Sequence, residues 1–155
     1  MIYILCFAIS VFFAIIANKY KDSSKKYYFF SIISILFPAL LAGLRDVNIG
    51  TDVKVYVLPS FNIALASHNL SAFFENMKYY NLDFLFLVLT FFTSHAFENI
   101  SFVLFCESFI TISLFYFGIN NICDEKKGRP FIFLLFLLIY YNFSLNNIQT
   151  EIIIY

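Results

Sequence analysis

Five long apolar runs, separated by short polar connections, limit what this chain can fold into. They cover residues 2–17, 27–44, 82–96 and 100–119, and a last run over 131–141 that extends toward Leu145. The hydrocarbon core of a bilayer is ~30 Å thick and takes ~20 apolar residues in helical form to cross. Inside it the backbone must satisfy its own hydrogen bonds, which leaves a helix as the natural state of such runs. The expected fold is therefore all-α, a polytopic transmembrane helix bundle with four to five hydrophobic helices in one integral membrane domain over residues 1–155. Composition closes the soluble alternative. Of 155 residues, 61% are apolar and only 13% charged, against about a quarter charged in a soluble domain. The 23 Phe and 11 Tyr are more large rings than a small core can hide.

Charge sets the expected orientation. Lys19, Lys21, Lys25 and Lys26 crowd one short connection. The positive-inside rule keeps such a loop cytoplasmic, so loop 18–27 is expected inside and the N-terminus outside. A second basic connection holds Lys126, Lys127 and Arg129. It creates a conflict: if all five runs cross, this loop lies outside. Either it breaks the rule, or one short run does not cross, and residues 82–96 are the best candidate for a re-entrant element. The formal net charge is zero, so no nucleic-acid footprint is expected.

Between the second and third runs the chain is mixed. Leu70, Phe73, Phe74 and Met77 recur at helical spacing with Glu75 and Lys78 between them. This predicts an amphipathic helix along the membrane interface, capped by Asn69 or Ser71. Cys6, Cys106 and Cys123 lack metal-ligand spacing, and His68 and His95 are the only histidines. No metal site and no cofactor is expected.

Residues 42–52 are unusually polar for their position directly after an apolar helix. Gly43 ends that helix at little backbone cost, and Gly50 permits a tight turn. Arg45 presents a planar fork of donors suited to phosphate oxygens. Asp46 either fixes that fork or folds onto it as an ion pair. Thr51 and Asp52 either exchange hydrogen bonds with sugar hydroxyls or cap a following turn. Tyr56 either stacks on a sugar face or anchors at the interface. Read as residue types alone, the segment also fits a capped membrane-exit loop with Arg45 snorkelling to headgroups. Glu107 is a charge within an apolar run, which in a membrane is functional or paired by default.

Gly43-Leu-Arg45, then Gly50-Thr-Asp52, then Tyr56, in this order and spacing after a hydrophobic helix, resembles the start of the EpsG family. These are multi-span proteins of exopolysaccharide and O-antigen production, related to Wzy-type repeat-unit polymerases. The resemblance implies polymerisation of oligosaccharide repeat units carried on polyprenyl diphosphate, at the outer face of a bacterial cytoplasmic membrane. It implies Arg45 facing the diphosphate or the incoming glycan, and Asp46 and Asp52 holding the loop or binding sugar. It also implies lipid-linked glycan, bilayer lipid and other polysaccharide-assembly membrane proteins as partners. Family members are usually longer. A second family hallmark, Asn followed by Arg-Gln, corresponds here to Asn146-Asn-Ile-Gln149, which keeps the glutamine without the arginine. The expectation is an N-terminal portion of a family architecture. Two alternatives to a polymerase stand beside it: a non-catalytic membrane subunit or lipid-linked-glycan binding protein, and a reading frame that has lost its function.

Overall fold

A computed structural model describes residues 2–46, 53–123 and 128–141. Every regular element among them is helical: α1 (Ile2–Lys19), α2 (Ser24–Gly43), α3 (Leu58–Ala66), α4 (Leu70–Met77), α5 (Phe84–Phe97), α6 (Ile100–Ile122) and α7 (Gly128–Leu135). A π-helical turn, Val53–Val57, leads into α3, and a second, Phe136–Tyr141, continues α7. Three helices, α1, α2 and α6, with 18, 20 and 23 residues, are long and apolar enough to cross a membrane. The expected four to five such helices thus resolve into three long ones and shorter apolar ones. α5 has 14 residues and rises roughly 21 Å, short of the ~30 Å hydrocarbon core. The fold is an all-α, membrane-embedded one, and its helices divide into two compact units.

The first unit holds α1, α2 as far as Ala42, α6 from Ser108, and α7. α1 and α2 form an antiparallel hairpin. Tyr20 stacks on Phe30, and Phe13 on Phe30 and Phe37. At its centre two fully buried serines clamp the helices reciprocally: Ser10 Oγ donates to the Ser34 carbonyl at 2.6 Å and Ser34 Oγ to the Ser10 carbonyl at 2.8 Å. Small side chains allow that approach, and hydroxyls supply the polar bond that lipid cannot. Converting both serines to alanine is expected to lower unfolding stability by ~1–2 kcal/mol, from ~0.6 kcal/mol or somewhat more per interhelical bond. Denaturation in mixed micelles reads this directly, and a double variant as stable as the parent would remove the clamp from the account.

Pro38 lies inside α2 and is fully buried, and the helix continues to Gly43. α7 returns along α6 with Phe136 stacked on Phe115 at 4.2 Å and Phe133 edge-on to Tyr116 at 5.0 Å. Asn18 at the end of α1, Asn120 near the end of α6 and Arg129 at the start of α7 line one small cavity. Arg129 and the ends of α1 and α6 therefore lie at the same end of this unit as the lysines of the α1–α2 turn, its basic end.

The second unit spans Gly43–Glu107. α5 and α6 form a hairpin whose turn is Glu98, in the left-handed region with φ 49°, followed by Asn99. The Asn99 carboxamide accepts from the Ser101 N–H at 2.9 Å and so caps α6. α3 packs on α5, and Pro59 sits in its first turn, where no donor is lost. The amphipathic α4 forms as expected. Asn69 caps it by accepting from the Ala72 N–H at 2.8 Å, and its buried residues Phe73 and Met77 join Ala64 and Leu87 in one cluster. A second cluster unites Val53, Val57 and Phe61 with Val103 and Leu104 of α6.

Candidate functional site

The candidate site gathers around the first two turns of α6, within the second unit. Gly43, the last residue of α2, lies flat against this helix. A Cβ there would stand 2.8 Å from the Phe105 Cβ and 2.9 Å from the Ser101 carbonyl oxygen. Only glycine permits this distance. Gly43 is both the last residue of α2 and the point of close approach. Two residues on, Arg45 is half-buried and Asp46 exposed.

Glu107 is partly buried on α6, one turn beyond the Gly43 contact. The fully buried Thr90 of α5 donates its hydroxyl to Glu107 Oε1 at 3.3 Å. The positive charge of Arg45 acts on the same carboxylate. The structure thus links two residues that the sequence singled out separately, and adds a third. A carboxyl group at membrane depth requires a donor or a cation, and here Thr90 supplies the donor. Thr90 escapes a sequence reading because it is one of several hydroxyl residues in an apolar run. The one available signal is symmetry, since Thr90 and Glu107, 17 residues apart, are equidistant from the Glu98–Asn99 turn.

Tyr56 is exposed in the π-helical turn that precedes α3. Its carbonyl accepts a hydrogen bond from the Ser60 hydroxyl. The flanking Val53 and Val57 fix that turn against Val103 and Leu104, so the turn rests on the same stretch of α6 as Gly43. Gly50, Thr51 and Asp52 lie outside the described residues, as do Asn146 and Gln149 of the second hallmark. Among the described residues no group of His, Cys, Asp or Glu is placed to hold a metal.

Chemically, the arrangement sets a guanidinium, suited to phosphate oxygens, so that its charge acts on a carboxyl group bonded to Thr90. Long apolar helices, with large side chains such as Ile4, Phe12, Phe29 and Leu114 exposed on them, define the class: a helical, membrane-embedded protein with a charged site at a helix end. The EpsG family model matches residues 28–154, most of the chain, and the protein belongs to the EpsG family. Nothing matches among the curated proteins or the solved structures.

Proposed function

We propose that the protein acts in polymerising polyprenyl-diphosphate-linked oligosaccharide repeat units for exopolysaccharide or O-antigen, at the outer face of the bacterial cytoplasmic membrane. The observation that carries this reading is the hydrogen bond from Thr90 to Glu107 beside the Gly43 contact, with the charge of Arg45 acting on the same carboxyl group. Family membership and the order of Gly43, Arg45, Gly50, Asp52 and Tyr56 support it.

In such a transfer an acceptor sugar hydroxyl attacks the anomeric carbon of the donor. The new C–O bond forms as the bond to the diphosphate breaks. Polyprenyl diphosphate departs with the electron pair, and the hydroxyl proton passes to water. The leaving group is already good, so the protein's task is to neutralise its charge and hold the reactants in line. Arg45 meets the diphosphate. Glu107, held by Thr90, keeps the guanidinium aimed. Asp46, Thr51 and Asp52 contact sugar hydroxyls or hold the loop, and Tyr56 offers a ring to a sugar face.

Orientation follows from charge. With the shared basic end of the first unit facing the cytoplasm, the N-terminus faces outward. α2 then carries the chain outward to Arg45. Arg129 at the start of α7 shares a cavity with Asn18 and takes the cytoplasmic end as well.

The experiment supplies lipid-linked repeat units to membrane vesicles of known sidedness that contain the protein. A Cys6, Cys106 and Cys123-free background carries a reporter at Asp46→Cys or Lys21→Cys. Polymer should appear with the cysteine-free protein, and in the reporter variants position 46 should be labelled from outside and position 21 from inside. Labelling of position 46 only from inside would overturn the reading. Absence of polymer, with retention of lipid-linked glycan that depends on Arg45, would replace polymerisation with a binding function.

A further inference from the structure

A second charged site, apart from Arg45, lies at the basic end of the first unit. Arg129 is only 7% exposed. Its Nε donates to the Cys123 carbonyl at 2.7 Å, while its buried Nη1 has no hydrogen-bond partner among the described residues. The guanidinium borders a cavity of about 10 Å³ lined also by Asn18, Tyr116, Asn120 and Phe133. That volume holds roughly one oxygen-sized atom. Tyr27 and Tyr116 are among the titratable groups near it, and a phenol is uncharged near neutral pH. A buried cation without a counter-charge is costly. A water molecule would complete its hydrogen bonds but leave the charge uncompensated, whereas an anionic oxygen corrects both.

On the other side of Ile119, which lines both spaces, runs an open apolar groove of about 510 Å³ between α6 and α7, bordered by Leu114, Gly118, Ile122 and Ile132. No side chain stands within 4 Å of where a Gly118 Cβ would project. A cationic pocket for one oxygen beside an apolar groove matches an amphiphile with an anionic head. We propose that Arg129 binds a phosphate oxygen of an anionic phospholipid, whose acyl chain lies in the α6–α7 groove, in the leaflet at the basic end. This site is independent of the polymerase reading.

The test uses the purified protein in phosphatidylcholine nanodiscs titrated with phosphatidylglycerol, read by thermal unfolding and by native mass spectrometry of retained lipid. Phosphatidylglycerol should raise the unfolding temperature and remain bound at one equivalent. Arg129→Gln should weaken that binding by about tenfold or more, as expected for one lost charge-assisted hydrogen bond. Arg129→Lys, which keeps the charge, should fold and retain part of the effect, so the result stands even where Arg129→Gln fails to fold. Gly118→Leu, which fills the groove, should reduce lipid retention, and Lys25→Gln with Lys26→Gln should not. Equal retention by the parent and both Arg129 variants would overturn the proposal. So would equal stabilisation by inorganic phosphate or sodium chloride, which would mark a small-anion site. An internal counter-ion would also overturn it, revealed if Asp124→Asn with Glu125→Gln destabilises as much as Arg129→Gln and the combination costs no more.

Discussion

Arg45→Ala is expected to lower the rate of polymer formation by ~10²–10³-fold, or ~2.7–4 kcal/mol of transition-state stabilisation, the range seen when one preorganised donor to developing charge is removed. The diphosphate gains charge as the anomeric bond breaks, so the loss should fall mainly on kcat. Arg45→Lys should recover part of the rate, because an ammonium keeps the charge but not the planar fork. Glu107→Gln keeps the polar group bonded to Thr90 while removing the charge that acts on Arg45. It should cost less, ~10-fold or ~1.4 kcal/mol. The double variant discriminates between roles. If Glu107 works through Arg45, the Arg45→Ala background should be almost insensitive to Glu107→Gln. Full additivity would separate the two residues and leave Glu107 with a task of its own. Polymer formed by Arg45→Ala at the parental rate would remove charge neutralisation from the mechanism.

The second large effect is expected at Gly43. An added Cβ would stand 2.8 Å from the Cβ of Phe105 and 2.9 Å from a backbone oxygen at Ser101. Neither atom is the flexible end of a side chain, so the helices themselves must separate. Overpacking of this kind costs typically ~1–3 kcal/mol, and Gly43→Val should exceed Gly43→Ala. Because Arg45 follows two residues later, the separation should also shift the guanidinium relative to Glu107. Thermal unfolding in detergent should show the graded loss, and polymerisation by Gly43→Ala should fall further than its stability explains. A Gly43→Val protein with parental stability would show that the close approach is not required. Gly118 provides the contrast, since its added Cβ meets nothing within 4 Å and Gly118→Ala should be nearly neutral for stability.

Much of the fold is visible in the residues because its causes are local. The apolar runs at 2–17, 27–44 and 100–119 became α1, α2 and α6 with no end shifted by more than three residues, because hydrophobic length and flanking charge both act within a few residues of the chain. Asn69 predicted a helix start and supplies the cap. The run at 82–96 gave α5 of 14 residues, and its shortness is itself a property of the sequence. Of the site, the sequence singled out Gly43, Arg45, Tyr56 and Glu107. It could not join Arg45 to Glu107 or find Thr90, because those links depend on the register of helices far apart in the chain.

The sequence by itself determined a helical membrane protein with an EpsG-type motif after its second apolar helix. Helix formation in lipid needs only continuous apolar side chains and a backbone bonded to itself. Helices such as α1 are apolar on nearly every side, so no periodicity announces which face is buried. Only the tertiary structure decided that Ser10 meets Ser34, that Arg129 shares a cavity with Asn18, that Glu107 is bonded to Thr90, and that Arg129 is enclosed. Each of these depends on how one helix is rotated and shifted against another, and side-chain packing sets that after the helices have formed.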